Sequence, residues 1–145
     1  MSSMTRNHPS TTSTPSRITY STEISRFLVA AFTLSVVHTC YAWLSGLQDD
    51  RFTVTTPVAW VFYAVGFAAA VLARREAPWA QWVLAGYLLV LLYVSVFYYP
   101  TTFEPRQQTT FGWFENDVYT GLLMIAAYLA VMRLRGIAVV SRPRG

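Results

Sequence analysis

The sequence predicts an all-α membrane protein: four transmembrane helices in an antiparallel bundle, with both termini in the cytoplasm (N-in/C-in). Three observations predict it. Residues 78–99, PWAQWVLAGYLLVLLYVSVFYY, run without a single charge, long enough as a helix to cross a bilayer's hydrocarbon at about 1.5 Å per residue. The chain as a whole is 54% hydrophobic and 12% charged, too little charge to cover a water-soluble core of its 145 residues. The basic residues, all arginine, also fall unevenly among the segments between apolar runs.

Residues 2–16 hold nine Ser or Thr together with Pro9 and Pro15 and almost nothing apolar. Such a segment cannot offset its ordering entropy by burial, so residues 1–20 are expected to be a disordered cytoplasmic tail. The transmembrane domain is expected over residues 21–135, and a basic cytoplasmic tail over 136–145. The first span is expected at 27–47. It is too long for the apolar part of a signal peptide, and no small-x-small cleavage site follows it. On a helix, Ala31, Ser35, His38, Ala42 and Ser45 share one face, whose small and polar side chains suit close helix contact.

Residues 48–56 form a short hydrophilic loop with Asp49, Asp50 and Arg51. The second span is expected at 57–73, at the lower limit of length, with Arg74 and Arg75 able to snorkel from its end. Two small-xxx-small pairs, Ala64 with Ala68 and Gly66 with Ala70, mark it for close packing. The link 74–77 is so short that spans two and three form an antiparallel hairpin, and Pro78 suits the first position of the third helix. The third span is 78–99, with Trp79 and Trp82 at one end and Tyr98 and Tyr99 at the other, as amphipathic rings settle at membrane interfaces.

Residues 100–117 are the longest loop, carrying Phe103, Phe111, Trp113 and Phe114, and are expected to lie on the membrane surface. Asn116 or Asp117 can cap a fourth span at 118–132, and Glu115 and Asp117 favour its positive end. Ala126 and Ala130 offer that helix a small face. The tail beyond carries Arg133, Arg135, Arg142 and Arg144. Nine arginines therefore fall in the two tails and the 74–77 turn; Arg51 and Arg106 stand against five acids in the other two loops. That division places both termini in the cytoplasm of a multi-pass plasma membrane protein.

The candidate intramembrane polar site is His38 with Ser35 and Gln81. An ionisable group inside a span is costly and usually faces the bundle interior. Its commonest state is a neutral imidazole bonded to Ser35 one turn earlier or to a neighbouring helix. Gln81 is expected to hydrogen-bond across helices. Cys40 points some 200° away from His38 on a helix, so the two make no nucleophile–base pair, and the thiol reads as structural. In the long loop Phe103, Glu104, Arg106, Phe111, Trp113, Phe114, Glu115 and Asp117 are candidate extracytoplasmic contacts. Arg74, Arg75, Arg133, Arg135, Arg142 and Arg144 are candidate contacts to lipid or cytosolic protein.

Several function classes lack their signatures. One cysteine excludes an internal disulfide and a paired-thiol oxidoreductase. Four-helix drug antiporters use an acid inside the first span, and none stands there. Neither a protease's Ser–His or paired-acid arrangement nor a phosphatase's cationic cluster is visible. No catalytic residue, metal site or cofactor is expected. The reading is a small non-enzymatic membrane protein acting by contact, as an accessory subunit or two-component partner. Its partners are the bilayer and another protein or itself as a homo-oligomer, with no nucleic acid. The alternative is an oligomerising membrane-perturbing protein of phage type, a holin or exclusion factor, and a third reading is a carrier or enzyme that uses His38.

Overall fold

A computed structural model describes residues 20–47, 52–102 and 109–136 of the chain, and among these residues it is all-helical. Helix α1 is Tyr20–Leu44, α2 is Pro57–Leu72, α3 is Pro78–Thr102 and α4 is Thr110–Leu134. Helices α1, α3 and α4 are 25 residues each, long and apolar enough to cross a membrane, whereas α2 is a shorter apolar helix. A 25-residue helix is about 37 Å long. The residues 1–19 of the expected disordered tail lie outside the described residues, as do Asp49, Asp50 and Arg51 and most of the basic C-tail.

Three of the four helices extend beyond the expected spans. Helix α1 opens at Tyr20 rather than at Phe27, because Ser21, Ile24, Ser25 and Leu28 continue its buried face toward the N-terminus. It closes on Gly46 in the left-handed region, φ 67°. There the Leu47 amide donates to the Ala42 carbonyl at 2.9 Å and the Gly46 amide to that of Trp43 at 3.3 Å, which satisfies the last free carbonyls. Pro57 and Pro78 open α2 and α3, where a missing N–H costs nothing.

Helix α3 does not stop before Pro100. It widens into a π turn over Val94–Tyr98 and then resumes as Tyr99–Thr102. The cause is local. Pro100 has no N–H for the carbonyl four residues back and its ring crowds that carbonyl. Lengthening the register, as in the Tyr99 amide's bond to the Val94 carbonyl five residues earlier, lets the helix pass. Helix α4, expected from residue 118, begins at Thr110. Its cap is Thr109, whose Oγ1 accepts the Gly112 amide at 3.0 Å, and not Asn116 or Asp117.

The helices pack side by side in the order α2, α1, α4, α3, with the most extensive contact between α1 and α4. Consecutive helices run antiparallel, as the contacts at one end show. Arg74 at the end of α2 donates from Nε to Ser25 Oγ at the start of α1 (3.1 Å). Arg133 at the end of α4 donates to the carbonyls of Ala73 and Arg75, both at 2.8 Å. Spans two and three are joined by the tight turn as expected, but they barely pack on each other, so each leans on its outer neighbour instead.

The interior is built from small residues and a few large ones. Ala31, Ala59, Ala70, Ala73, Ala80 and Ala126 are buried around Phe32, Leu84, Leu88 and Leu123. Phe32 is the hub, edge-on to Phe62 and Tyr119 with centroids 5.5 and 5.9 Å away. Gly66 lies directly against the Phe32 ring, so the Gly66–Ala70 pair makes the close approach, while Ala64 and Ala68 face outward. Large apolar side chains such as Val61, Leu89, Val90 and Met124 are on the outside. Small residues inside and bulky apolar ones outside suit a bundle whose surroundings are lipid. Among the exposed tryptophans, Trp79 and Trp82 sit at the arginine end and Trp43, Trp60 and Trp113 at the other, the distribution of interfacial belts.

Candidate functional site

At the end away from the described arginines the four helices line a cavity of about 320 Å³. Its size falls in the range of small-molecule sites, roughly 300–1,000 Å³. Helix α1 contributes Ser35 and His38, α4 contributes Glu115, Asn116 and Tyr119, and the π turn of α3 contributes Ser95. The rest of the wall is mostly aromatic and aliphatic. Ser95, 6% exposed, continues the buried face of Leu84, Leu88 and Leu91 at steps of three and four, which points it inward at this level.

His38 and Glu115 face each other across α1 and α4, with Nδ1 and Oε2 3.7 Å apart. Glu115 is 3% exposed. Ser35, one turn before His38, lines the same cavity. Phe111, one turn before Glu115, lies against the imidazole with centroids 5.5 Å apart and edge-on to Tyr41 at 4.9 Å. Next to the pair, Tyr63 of α2 donates its hydroxyl to the Ser35 carbonyl (3.2 Å) and meets Thr39 Oγ1 at 2.6 Å. With its own proton committed, the Tyr63 oxygen accepts from Thr39. Tyr119, also buried, brings its hydroxyl into the same region with no hydrogen-bond partner among the described residues.

Of the expected polar site, Ser35 and His38 are thus brought together, and their partner is a residue assigned to a loop. Glu115 is no surface contact; it is a buried member of α4. Phe111 is likewise drawn into the bundle, whereas Phe114 and Asp117 remain on the outside of α4. Phe103, Glu104 and Arg106 lie outside the described residues. Gln81 belongs to the other end, where its Nε2 donates to the Glu76 carbonyl at 3.1 Å within its own turn and not across helices. Cys40 is half-buried and free. Arg133, expected to reach lipid or cytosolic protein, instead clasps the carbonyls of the α2–α3 turn. Arg75 and Arg135 are exposed there, and Arg142 and Arg144 lie outside the described residues.

The missed residues did leave a signal. Gly112, Glu115, Asn116, Tyr119, Leu123, Ala126 and Ala130 are all buried, and apart from the adjacent Glu115 and Asn116 they recur at steps of three or four, the stripe of one helix face. Followed upstream from Ala130, the same stripe passes through Glu115 to Gly112 without a break. The charges at Glu115 and Asp117 hide it.

No cluster of three or more metal-ligating side chains occurs among the described residues. No family model matches the chain, and comparison with curated proteins and with solved structures likewise returned no match. Its class is therefore carried by the fold, an all-helical bundle with three helices fit to cross a membrane.

Proposed function

We propose that the chain is a four-span protein of the cytoplasmic membrane that binds a small amphiphilic molecule, without covalent change, in the cavity beside Glu115. Both termini and the arginine end face the cytosol in this reading, and the cavity lies toward the outer face. The observation that carries it is Glu115 itself, 3% exposed opposite His38 in the wall of a largely apolar cavity. An acid placed at membrane depth costs about 2.5–3.5 kcal/mol at the centre of a span, so such groups mark sites of use. Hydroxyls and the Asn116 amide around it can orient a polar head while the aromatic wall takes an apolar body. The reading as a contact protein rests on the arginine-rich tails, most of which lie outside the described residues.

The test is ligand-dependent stability of the full chain in a mild detergent, with neopentylbenzene and benzyltrimethylammonium as probes. A probe that binds only the folded protein at 100 times its Kd stabilises by about 2.7 kcal/mol. Wild type should be stabilised, and Ala42→Trp, which fills the cavity from α1, should not. Failure of both probes to stabilise wild type would remove this reading.

A further inference from the structure

We infer that the cavity takes a lipophilic monocation and that the cation enters in exchange for one proton of the Glu115–His38 pair. This rests on the proposed binding reading and adds the ligand's charge and what leaves when it arrives.

Three observations lead there. First, among the described residues the only carboxylate in the cavity wall is Glu115, and it is more deeply buried than its partner: their side chains are 4% and 16% exposed. The described arginines stand at the opposite end of the bundle, tied to Ser25 or the α2–α3 turn or adjacent to residues so tied. Second, the Nδ1–Oε2 separation of 3.7 Å exceeds a hydrogen bond of about 2.7–3.2 Å. The carboxylate is therefore near the imidazole without being locked to it, and it remains available to the cavity. Third, Tyr119, 7% exposed in the cavity wall, carries a buried hydroxyl without a partner among the described residues. Its oxygen is an acceptor that a polar, positively charged head would use. Tyr41, Phe62 and Tyr98 add ring faces to the wall, and such faces attract cations.

Charge balance supplies the exchange. The empty pair holds one proton, on the carboxylate or on the imidazole, and is neutral in either arrangement. A cation added to that state would leave a net positive charge in a low-dielectric space. If the proton departs to water, the site holds the cation, a carboxylate and a neutral imidazole, and the sum returns to zero. Among the described residues the other titratable groups facing this region are Cys40 and Tyr41 on α1, Tyr63 on α2, Tyr87, Tyr98 and Tyr99 on α3 and Tyr119 on α4. All are neutral acids, so none supplies a competing positive charge. An anion would need the opposite, uptake of a proton, and would set its charge against Glu115.

The experiment uses the full chain in weakly buffered mild detergent, titrated with benzyltrimethylammonium. Its charge is permanent and it has no exchangeable proton, so any proton released comes from the protein. Binding is followed by calorimetry and protons by an indicator dye. Expected are close to one proton released per probe bound and an apparent affinity that rises about tenfold per pH unit while the pair holds its proton. The uncharged isostere neopentylbenzene should bind with no proton release and no pH dependence. Glu115→Gln, checked for a monodisperse fold, should lose at least tenfold in cation affinity. Cation binding without proton release, or proton uptake, overturns the exchange and leaves the binding reading standing if neopentylbenzene binds. Absence of binding by both probes removes both. The proton count on wild type needs no variant, so a Glu115→Gln protein that fails to fold does not decide the matter.

Discussion

Gly66 and Phe32 set how closely α1 and α2 approach. A Cβ at position 66 would run into the Phe32 ring, and that ring is 0% exposed, held edge-on by Phe62 and Tyr119. Gly66→Ala should therefore destabilise the bundle by about 1–3 kcal/mol, as overpacking does, seen as a lower thermal midpoint in detergent. Gly86→Ala is the matched control. Nothing lies within 4 Å of a Cβ there, and replacing a mid-helix glycine should gain about 0.5–1 kcal/mol. If both substitutions shift stability alike, Phe32 is not seated on Gly66. The two small-xxx-small pairs of α2 were equally visible in the sequence, but spacing alone does not tell which of two adjacent stripes faces a neighbour. A large ring on the next helix decides it. His38 was similar: its inward face was legible from Ala31 and Ser35, whereas its partner on α4 was not, because a carboxylate close to Asp117 reads as solvent-facing until the helix is known to include it.

At the scale of the element, the second half of α3 and the first turns of α4 are where sequence and structure part. Proline and a run of polar residues after it normally end a span, so residues 100–117 read as one loop. The chain instead carries the helix through Pro100 by a π turn and restarts it at the Thr109 cap. Both extensions build the cavity, since Thr102 comes from the first and Glu115 from the second. The four apolar runs, the Pro-initiated helices and the arginine bias were legible because each depends on local composition. The cavity was not, since Thr102 and Glu115 of its wall fall in a stretch that reads as a loop. Pro100→Ala tests the connection. With the proline gone, nothing prevents α-helical bonding through this stretch, so stability should rise, by up to about 3 kcal/mol. The residues beyond the π turn should rotate and the cavity should lose its shape. The expected result is a higher thermal midpoint with weaker benzyltrimethylammonium binding; a stabilised variant with unchanged affinity would separate the π turn from the site.

For the molecule as a whole, the open question is whether α2 crosses the membrane. Its 16 residues span only about 24 Å, short of an average hydrocarbon thickness of about 30 Å. Two features favour crossing. Arg74, Arg75 and Arg133 meet at its C-terminal end, where long side chains can reach water from below the interface. At its other end residues 53–56 satisfy their own polar groups: the Thr53 amide donates to Thr56 Oγ1 at 2.9 Å, the Thr55 amide to Thr53 Oγ1 at 3.0 Å, and Thr56 Oγ1 to the Thr53 carbonyl at 2.9 Å. A turn that bonds to itself can sit deep in the interface, and Trp60, whose Nε1 donates to the Val54 carbonyl at 2.8 Å, is the kind of ring that anchors there. Thr55 and Arg135 are both exposed and are separated by α2, α3 and α4. In a Cys40→Ser background, Thr55→Cys should react with an impermeant maleimide on intact cells, and Arg135→Cys only after permeabilisation. Three crossings put the two positions on opposite sides; if α2 stays on one face, only α3 and α4 cross between them and both cysteines label from the same side. Same-side labelling would leave three spans, move the N-terminus across the membrane from the C-terminus, and break the charge argument that places the arginine end in the cytosol.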